Sequence, residues 1–315
     1  MTRPIGSKIV VVGAGAIGSY FGGMLARAGA AVTLIGRENH VDAVNRSGLR
    51  FESRGAVERV AVTATTDMAA VADASLILFC VKSLDTEQAA AAMVRHLSSD
   101  AVILSLQNGV DNAERIRRHA ANRVLPVLVY AGANIPAPGA VQHTGGGKLI
   151  IGETRETRGD PSGARLLNEI VALFGGAGVP MTISSDIEVE LWTKLVMNCA
   201  YNAISALGGA PYGQMVGLPE IRAVMRDTVI EAAQVARAKG VDLPGNIVEA
   251  AMALADAMPQ TTSSTAQDIA KGRPTEIGHL NGYVVRQGEF HGIATPVNRT
   301  LDALIKLLEQ TRLPP

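Results

Sequence analysis

Hydrophobic and polar positions follow two textures along the 315 residues. In the first half, short apolar runs alternate with helical patterns. KIVVV (8–12) is a β-branched run bounded by glycine, the pattern of a strand buried on both faces. From Ile17, apolar residues fall at Ile17, Tyr20, Phe21, Met24, Leu25 and Ala28, which is helix spacing, and Gly29 supplies a stop. AVTLIG (31–36), SLILFCV (75–81) and AVILSL (101–106) read as strands, with a helix over TEQAAAAMVRHL (86–97). LRFES and VERVAVTA, within 49–64, read as an antiparallel excursion. Strands alternating with helices predict an α/β domain with a Rossmann-type, doubly wound, mostly parallel sheet.

Beyond residue 125 the texture changes. VLPVLVYAGANIPAPGAVQHTGGGKLIIG is rich in turn formers and predicts short strands extending the sheet edge. SGARLLNEIVALFGGAG reads as a helix, and PMTIS (180–184) as a last strand. After Asp186, helical patterns cover 187–207, 219–239, 246–258, 264–272, 276–289 and 296–311. The expected organisation is a dinucleotide-binding domain over 1–185 and an all-α substrate and catalytic domain over 186–315.

Composition narrows the partners. A chain that is 47% hydrophobic and 18% charged builds a core and is not globally disordered. Basic and acidic residues balance at 29 each, which removes the electrostatic reason to expect nucleic acid or an anionic membrane as partner. Cys80 and Cys199 have no metal-ligand spacing and are too few for a disulfide framework. The six histidines form no HExxH, so no metal is expected. IVVV before Gly13 is too short for a signal-peptide core, and no run approaches the roughly 20 apolar residues of a membrane span. A cytoplasmic location is the expectation. A homodimer through the helical half is compatible with this pattern.

GAGAIG, from Gly13 through Ala14, Gly15, Ala16 and Ile17 to Gly18, follows a strand and opens a helix. In that context the three glycines read as a dinucleotide turn: Gly13 for the tight turn, Gly15 for approach of a pyrophosphate, Gly18 for helix–strand packing. The helix N-terminus supplies amide donors. Where an NAD site usually has an acidic residue, the second strand ends in Gly36 and Arg37, and an arginine there suits the 2′-phosphate of NADP(H). Lys82 and Asn108 follow two further strands and should face the same crevice. TGGGKL (144–149) fails the phosphate-loop frame, which needs Gly at 142 and Ser or Thr at 149, where the chain has Gln142 and Leu149.

In ELWTKLVMNCAYNA (190–203), Lys194, Asn198 and Asn202 interrupt an otherwise apolar helix at intervals of four, so they share one stripe. Burying an ammonium and two amides is costly without polar partners, and a polar substrate would be one. TTSSTAQDIAKGRPTEIGHLNG adds Ser263, Ser264, Asp268 and Glu276, with Pro274 expected at a helix start and Glu276 in its first turn.

Taken in order, GAGAIG, LQNG, KLVMNCAYN and SSTAQDIAKGRPTEIGHLNG resemble the ketopantoate reductase family (2-dehydropantoate 2-reductases) from residue 13 to about 282. The resemblance implies a Rossmann domain followed by a helical one and reduction of a 2-oxo acid by NADPH in pantothenate biosynthesis. It further implies that Lys194 is the catalytic acid, that Asn198, Asn202 and Ser264 bind the 2-oxo acid, and that Glu276 contacts the cofactor and orients the site. Asn108 would touch both cofactor and substrate. Gly278 (TEIG, often TEID in the family) and Tyr212 depart from the pattern and bear on substrate identity. A β-hydroxyacid dehydrogenase, a related 2-oxo acid reductase with another substrate and an NADP(H)-binding redox sensor are the alternatives, although a Gly-Gly-Ser-Gly-like substrate loop, usual in the first, is missing.

Overall fold

The computed structural model describes residues 3–53, 55–155, 158–159 and 161–312. Met1 and Thr2 of the N-terminal segment, Arg54 of the antiparallel excursion and residues 313–315 of the helical half lie outside them. The chain divides into two compact units, Met1–Ile187 and Glu188–Pro315.

The first unit runs β1 (Ile9–Val12), α1 (Ala16–Arg27), β2 (Val32–Ile35), α2 (Glu38–Ser47), β3 (Leu49–Ser53), β4 (Ala56–Val60), β5 (Thr63–Thr65) and β6 (Leu76–Phe79). It continues with α3 (Thr86–Val94), β7 (Val102–Ser105), α4 (Asn112–Arg117), β8 (Val124–Asn134), β9 (Ala140–Ile151), α5 (Pro161–Gly176) and β10 (Met181–Ile183). The strands form one sheet in the order β4-β3-β9-β8-β7-β6-β1-β2-β5, with β10 on β9. β1 sits where the winding reverses, with β2 and β5 on one side and β6, β7 and β8 on the other, all parallel. Ligands of doubly wound sheets bind beyond the strand ends at that reversal.

The β-branched run of β1 is explained by its surroundings. Ile9 and Val11 pack into one core with Phe21, Leu25 and Phe51, while Val10 and Val12 pack into another with Phe79, Met93 and Ile116. Both faces are covered, so alternation would have placed polar groups in a core.

Three local features go beyond the sequence reading or differ from it. The helix α2 was not legible, because only His40, Val41 and Val44 of its ten residues are buried, too few for a recognisable period. The turn-rich stretch after residue 125 is not a set of short strands but a long antiparallel hairpin, β8 with β9. Gly145, Gly146 and Gly147, all at positive φ, lie within β9, opposite register shifts on β8 that absorb the irregular backbone. The antiparallel pair at 49–64 forms as β3 and β4, but β3 also pairs in parallel with β9 and so joins the main sheet.

The helices of the second half are α6 (Ile187–Gly208), α7 (Tyr212–Gly217), α8 (Pro219–Ala238), α9 (Ile247–Ala257), α10 (Ser264–Ala270), α11 (Asn281–His291) and α12 (Pro296–Arg312). Buried polar contacts lock four of them together. Glu231 of α8 accepts from the amides of Val297 and Asn298, both at 2.9 Å, placing a carboxylate on the positive end of α12. Asn281 of α11 donates to the Cys199 carbonyl of α6 at 3.1 Å and to Asn298 Oδ1 at 3.0 Å. The frame that carries the polar stripe of α6 is therefore fixed by directional bonds as well as by packing. None of the helices among the described residues is long and apolar enough to cross a membrane.

Candidate active site

Residues of the glycine turn, Lys82 and Asn108 emerge at one sheet edge because the strands end in register: Val12 lies opposite Phe79, and Phe79 opposite Ser105. The amides of Gly13 and Ala14 both donate to the Ile35 carbonyl, at 3.0 and 2.8 Å, which folds the turn against the end of β2. The three glycines have different physical reasons. Gly13 has φ +101°, and a Cβ there would lie 2.6 Å from the Val81 amide nitrogen. A Cβ at Gly18 would overlap the Gly13 carbonyl oxygen and approach Val11 Cγ1 to 2.8 Å. Gly15 is exposed at an ordinary extended φ of −76°, and a Cβ there would meet nothing within 4 Å. Nothing inside the chain requires glycine at 15, whereas a pyrophosphate lying against the turn does. The turn thus fits a dinucleotide.

Arg37 is exposed at the N-terminus of α2, directly after Gly36, whose added Cβ would come within 2.9 Å of Ala14 Cβ. The backbone at residue 37 therefore starts next to the turn. Behind it, Gly139 donates its amide to His40 Nδ1 at 3.1 Å, so in the neutral ring Nε2–H faces Ser19 Oγ at 3.3 Å. Ser19 in turn donates to the Ala14 carbonyl at 3.2 Å, and burial holds His40 below its ordinary pKa, favouring this neutral form.

In the second unit, Lys194, Asn198 and Asn202 lie on one stripe of α6, the first two half-buried and Asn202 2% exposed. Asn202 Nδ2 donates to Ser264 Oγ at 3.4 Å. Ser263 caps α10 by accepting from Ala266 N at 3.0 Å and donates its own hydroxyl to the Asn202 carbonyl at 3.0 Å, so Ser264 is held beside the stripe. The Asn198 carboxamide is half-buried and bonds to none of the described residues. Lys194 is half-buried as well. Desolvation lowers its pKa to about 8, against the opposing pull of the Glu276 carboxylate. Lysine, two asparagines, a serine hydroxyl and a glutamate thus gather in one unit.

The sequence matches a known family: Ketopantoate reductase PanE/ApbA over residues 9–156 and Ketopantoate reductase PanE/ApbA C terminal over residues 186–309. The chain belongs to the ketopantoate reductase family. It is 37% identical over 306 residues to the 2-dehydropantoate 2-reductase of Halobacterium salinarum, covering 96% of this chain and 99% of that protein. A 2-dehydropantoate 2-reductase of Vibrio cholerae is 32% identical, with 96% and 98% covered. The crystal structure of a PanE/ApbA family ketopantoate reductase from Ralstonia eutropha superposes with a TM-score of 0.90 at 46% identity, covering 97% and 99%. As a member, the protein is an oxidoreductase enzyme of the pyridine-nucleotide-dependent class.

Within this member of the family, one local expectation changes. Glu276 is not in the first turn of an α-helix. It caps a short 3-10 turn, Ile277–His279, because Pro274 lies outside any regular element and the Thr275 hydroxyl accepts from the Ile277 amide at 3.2 Å. Tyr212 is buried with its ring 4.4 Å from that of Tyr201, as packing between α6 and α7. At Gly278 a Cβ would meet nothing within 4 Å, so the departure from TEID opens space rather than relieving a clash. Sequence reading passed over Ser83, Gln107, Asn112 and Arg115, four polar residues buried behind Lys82 and Asn108. Their signal was polar residues clustered after two apolar strands, which by itself also describes a solvated loop.

Proposed function

We propose that the protein reduces a 2-oxo acid to the 2-hydroxy acid with NADPH, its substrate being 2-dehydropantoate and its product pantoate, in pantothenate biosynthesis. The observation that carries this reading is Lys194, half-buried beside Glu276 with its pKa brought down to about 8, on the same stripe as Asn198 and Asn202. An ammonium that readily gives up its proton near neutral pH suits the acid of a carbonyl reduction. In this reading, bound NADPH supplies the hydride to C2. Lys194 stabilises the negative charge growing on the carbonyl oxygen and transfers its proton there. Asn198, Asn202 and Ser264 orient the carboxylate and hydroxyl groups, and Glu276 keeps Lys194 charged and in place. The amides of the Gly13–Gly18 turn hold the pyrophosphate, Arg37 the 2′-phosphate, and Lys82 and Asn108 the remainder of the cofactor.

The direct test is loss of NADPH absorbance on adding ketopantoate, with pyruvate and 3-hydroxy acids plus NADP+ as comparisons. Turnover on ketopantoate is expected; activity confined to 3-hydroxy acid oxidation would reject the reading. For cofactor choice, Arg37→Ala is expected to weaken NADPH by about tenfold to a hundredfold, the worth of a charge-assisted bond, while leaving NADH nearly unchanged. Equal losses for both cofactors would remove Arg37 from the 2′-phosphate.

A further inference from the structure

The side chains behind Lys82 and Asn108 form a directed hydrogen-bond chain with no slack. Ser105 Oγ donates to Gln107 Oε1 at 3.1 Å, and Gln107 Nε2 donates to the Val81 carbonyl at 3.0 Å and to Thr86 Oγ1 at 2.8 Å. Thr86 passes the direction on, donating to Asn112 Oδ1 at 3.1 Å. Asn112 Nδ2 then donates to Ser83 Oγ at 3.1 Å and to the Asn108 carbonyl at 2.6 Å, and Ser83 Oγ donates to the same carbonyl at 3.0 Å. Arg115, 6% exposed, closes the set: Nη1 donates to Asn112 Oδ1 at 2.9 Å, Nη2 to the Ser83 carbonyl at 2.7 Å, and Nε to Glu87 Oε1 at 2.6 Å. Both amide hydrogens and both lone pairs of the Asn112 oxygen are used, so its orientation is fixed. The two tied backbones are Ser83, next to Lys82, and Asn108 itself.

We propose that this Ser83–Asn112–Arg115–Glu87 network is a positioning device that locks the Lys82 loop and the Asn108 loop to each other, setting nucleotide affinity and turnover without touching the reactants. It rests on the reading that Lys82 and Asn108 meet the cofactor. A fold needing only apolar closure at these strand ends would not bury a guanidinium and an amide among this many directed bonds. Rigid loops matter here because errors of an ångström in placement cost rate steeply.

Asn112→Asp is the sharpest probe. It keeps the shape and still accepts from Thr86 and Arg115, but it sets a carboxylate oxygen against the Asn108 carbonyl where an N–H had been. Ser83→Ala removes the second tie with the smallest change in volume. Both are measured for NADPH Kd, for kcat and KM, and for Tm, beside Ile103→Val, a core change in β7 that removes one buried methyl and none of the network's hydrogen bonds. The expected result is an NADPH Kd raised about five- to twentyfold and a reduced kcat in both network variants, with neither moved in Ile103→Val at a comparable loss of Tm. If the network variants lose Tm while Kd and kcat stay within twofold of wild type, the network is merely structural and the proposal is overturned. Lys82→Ala and Asn108→Ala separate the two levels. Should they weaken NADPH while the network variants do not, only the positioning role falls; should they leave Kd unchanged, the cofactor reading falls with it.

Discussion

Lys194→Ala is expected to lower kcat by about a thousandfold while NADPH Kd moves less than twofold. General-acid transfer contributes roughly 10²–10⁴ in rate, and loss of a donor to the developing oxyanion falls in the same range. One side chain performs both tasks here, so the two losses are one event and do not multiply. The acid form is required, so reduction should decline as pH rises through about 8. Glu276 raises the affinity of Lys194 for its proton, so in Glu276→Gln the decline should begin at lower pH. A stability change of opposite sense accompanies the loss of activity. The folded-state pKa lies below the ordinary value of 10.5, so the unfolded chain binds more protons between about 8 and 10.5, and stability rises with pH across that window. At pH 7 the charged amine is a net liability to the fold, and Lys194→Met should raise Tm while abolishing turnover. Turnover within a few-fold of wild type in Lys194→Ala, or an alkaline limb unmoved in Glu276→Gln, would remove Lys194 from the chemistry.

Gly15→Val is expected to leave the fold intact and to weaken NADPH by a hundredfold or more. The argument rests on the contrast among three glycines in one turn. Valine at 13 meets a positive φ and the Val81 backbone, and at 18 it meets the Gly13 carbonyl and Val11. Either change should cost stability before any ligand is considered. At 15 the side chain enters open space at an allowed φ, and no side-chain cap is lost from α1, so the penalty to folding stays within about 1 kcal/mol. The same side chain would stand where phosphate oxygens meet the amides of the helix N-terminus. Losing even two charge-assisted bonds, at about 1.5–3 kcal/mol each, accounts for the hundredfold. Thermal melting and NADPH titration of the one variant give both halves of the test. Unchanged affinity with unchanged Tm would show that no pyrophosphate lies against residue 15.

Much of this was legible because it rests on local rules. A β-branched run buried on both faces, a glycine triplet opening a helix, and an i, i+4, i+8 polar stripe each follow from spacing alone, and the order of motifs was enough to indicate the family. Other elements depended on distant partners. The helix α2 is held by three buried residues, and the β8–β9 hairpin survives its glycines because their irregular backbone is matched by register shifts across the pair.

The sequence by itself determined the types of element, the glycine turn and which polar residues interrupt apolar helices, since backbone sterics and hydrophobic period act over a few residues. Only the tertiary structure decided that Glu276 caps a 3-10 turn near Lys194, that Asn202 meets Ser264, and that Asn112 and Arg115 bind the Lys82 and Asn108 loops together. Those outcomes depend on desolvation and on hydrogen-bond direction between residues tens of positions apart, and neither quantity exists until the chain has folded.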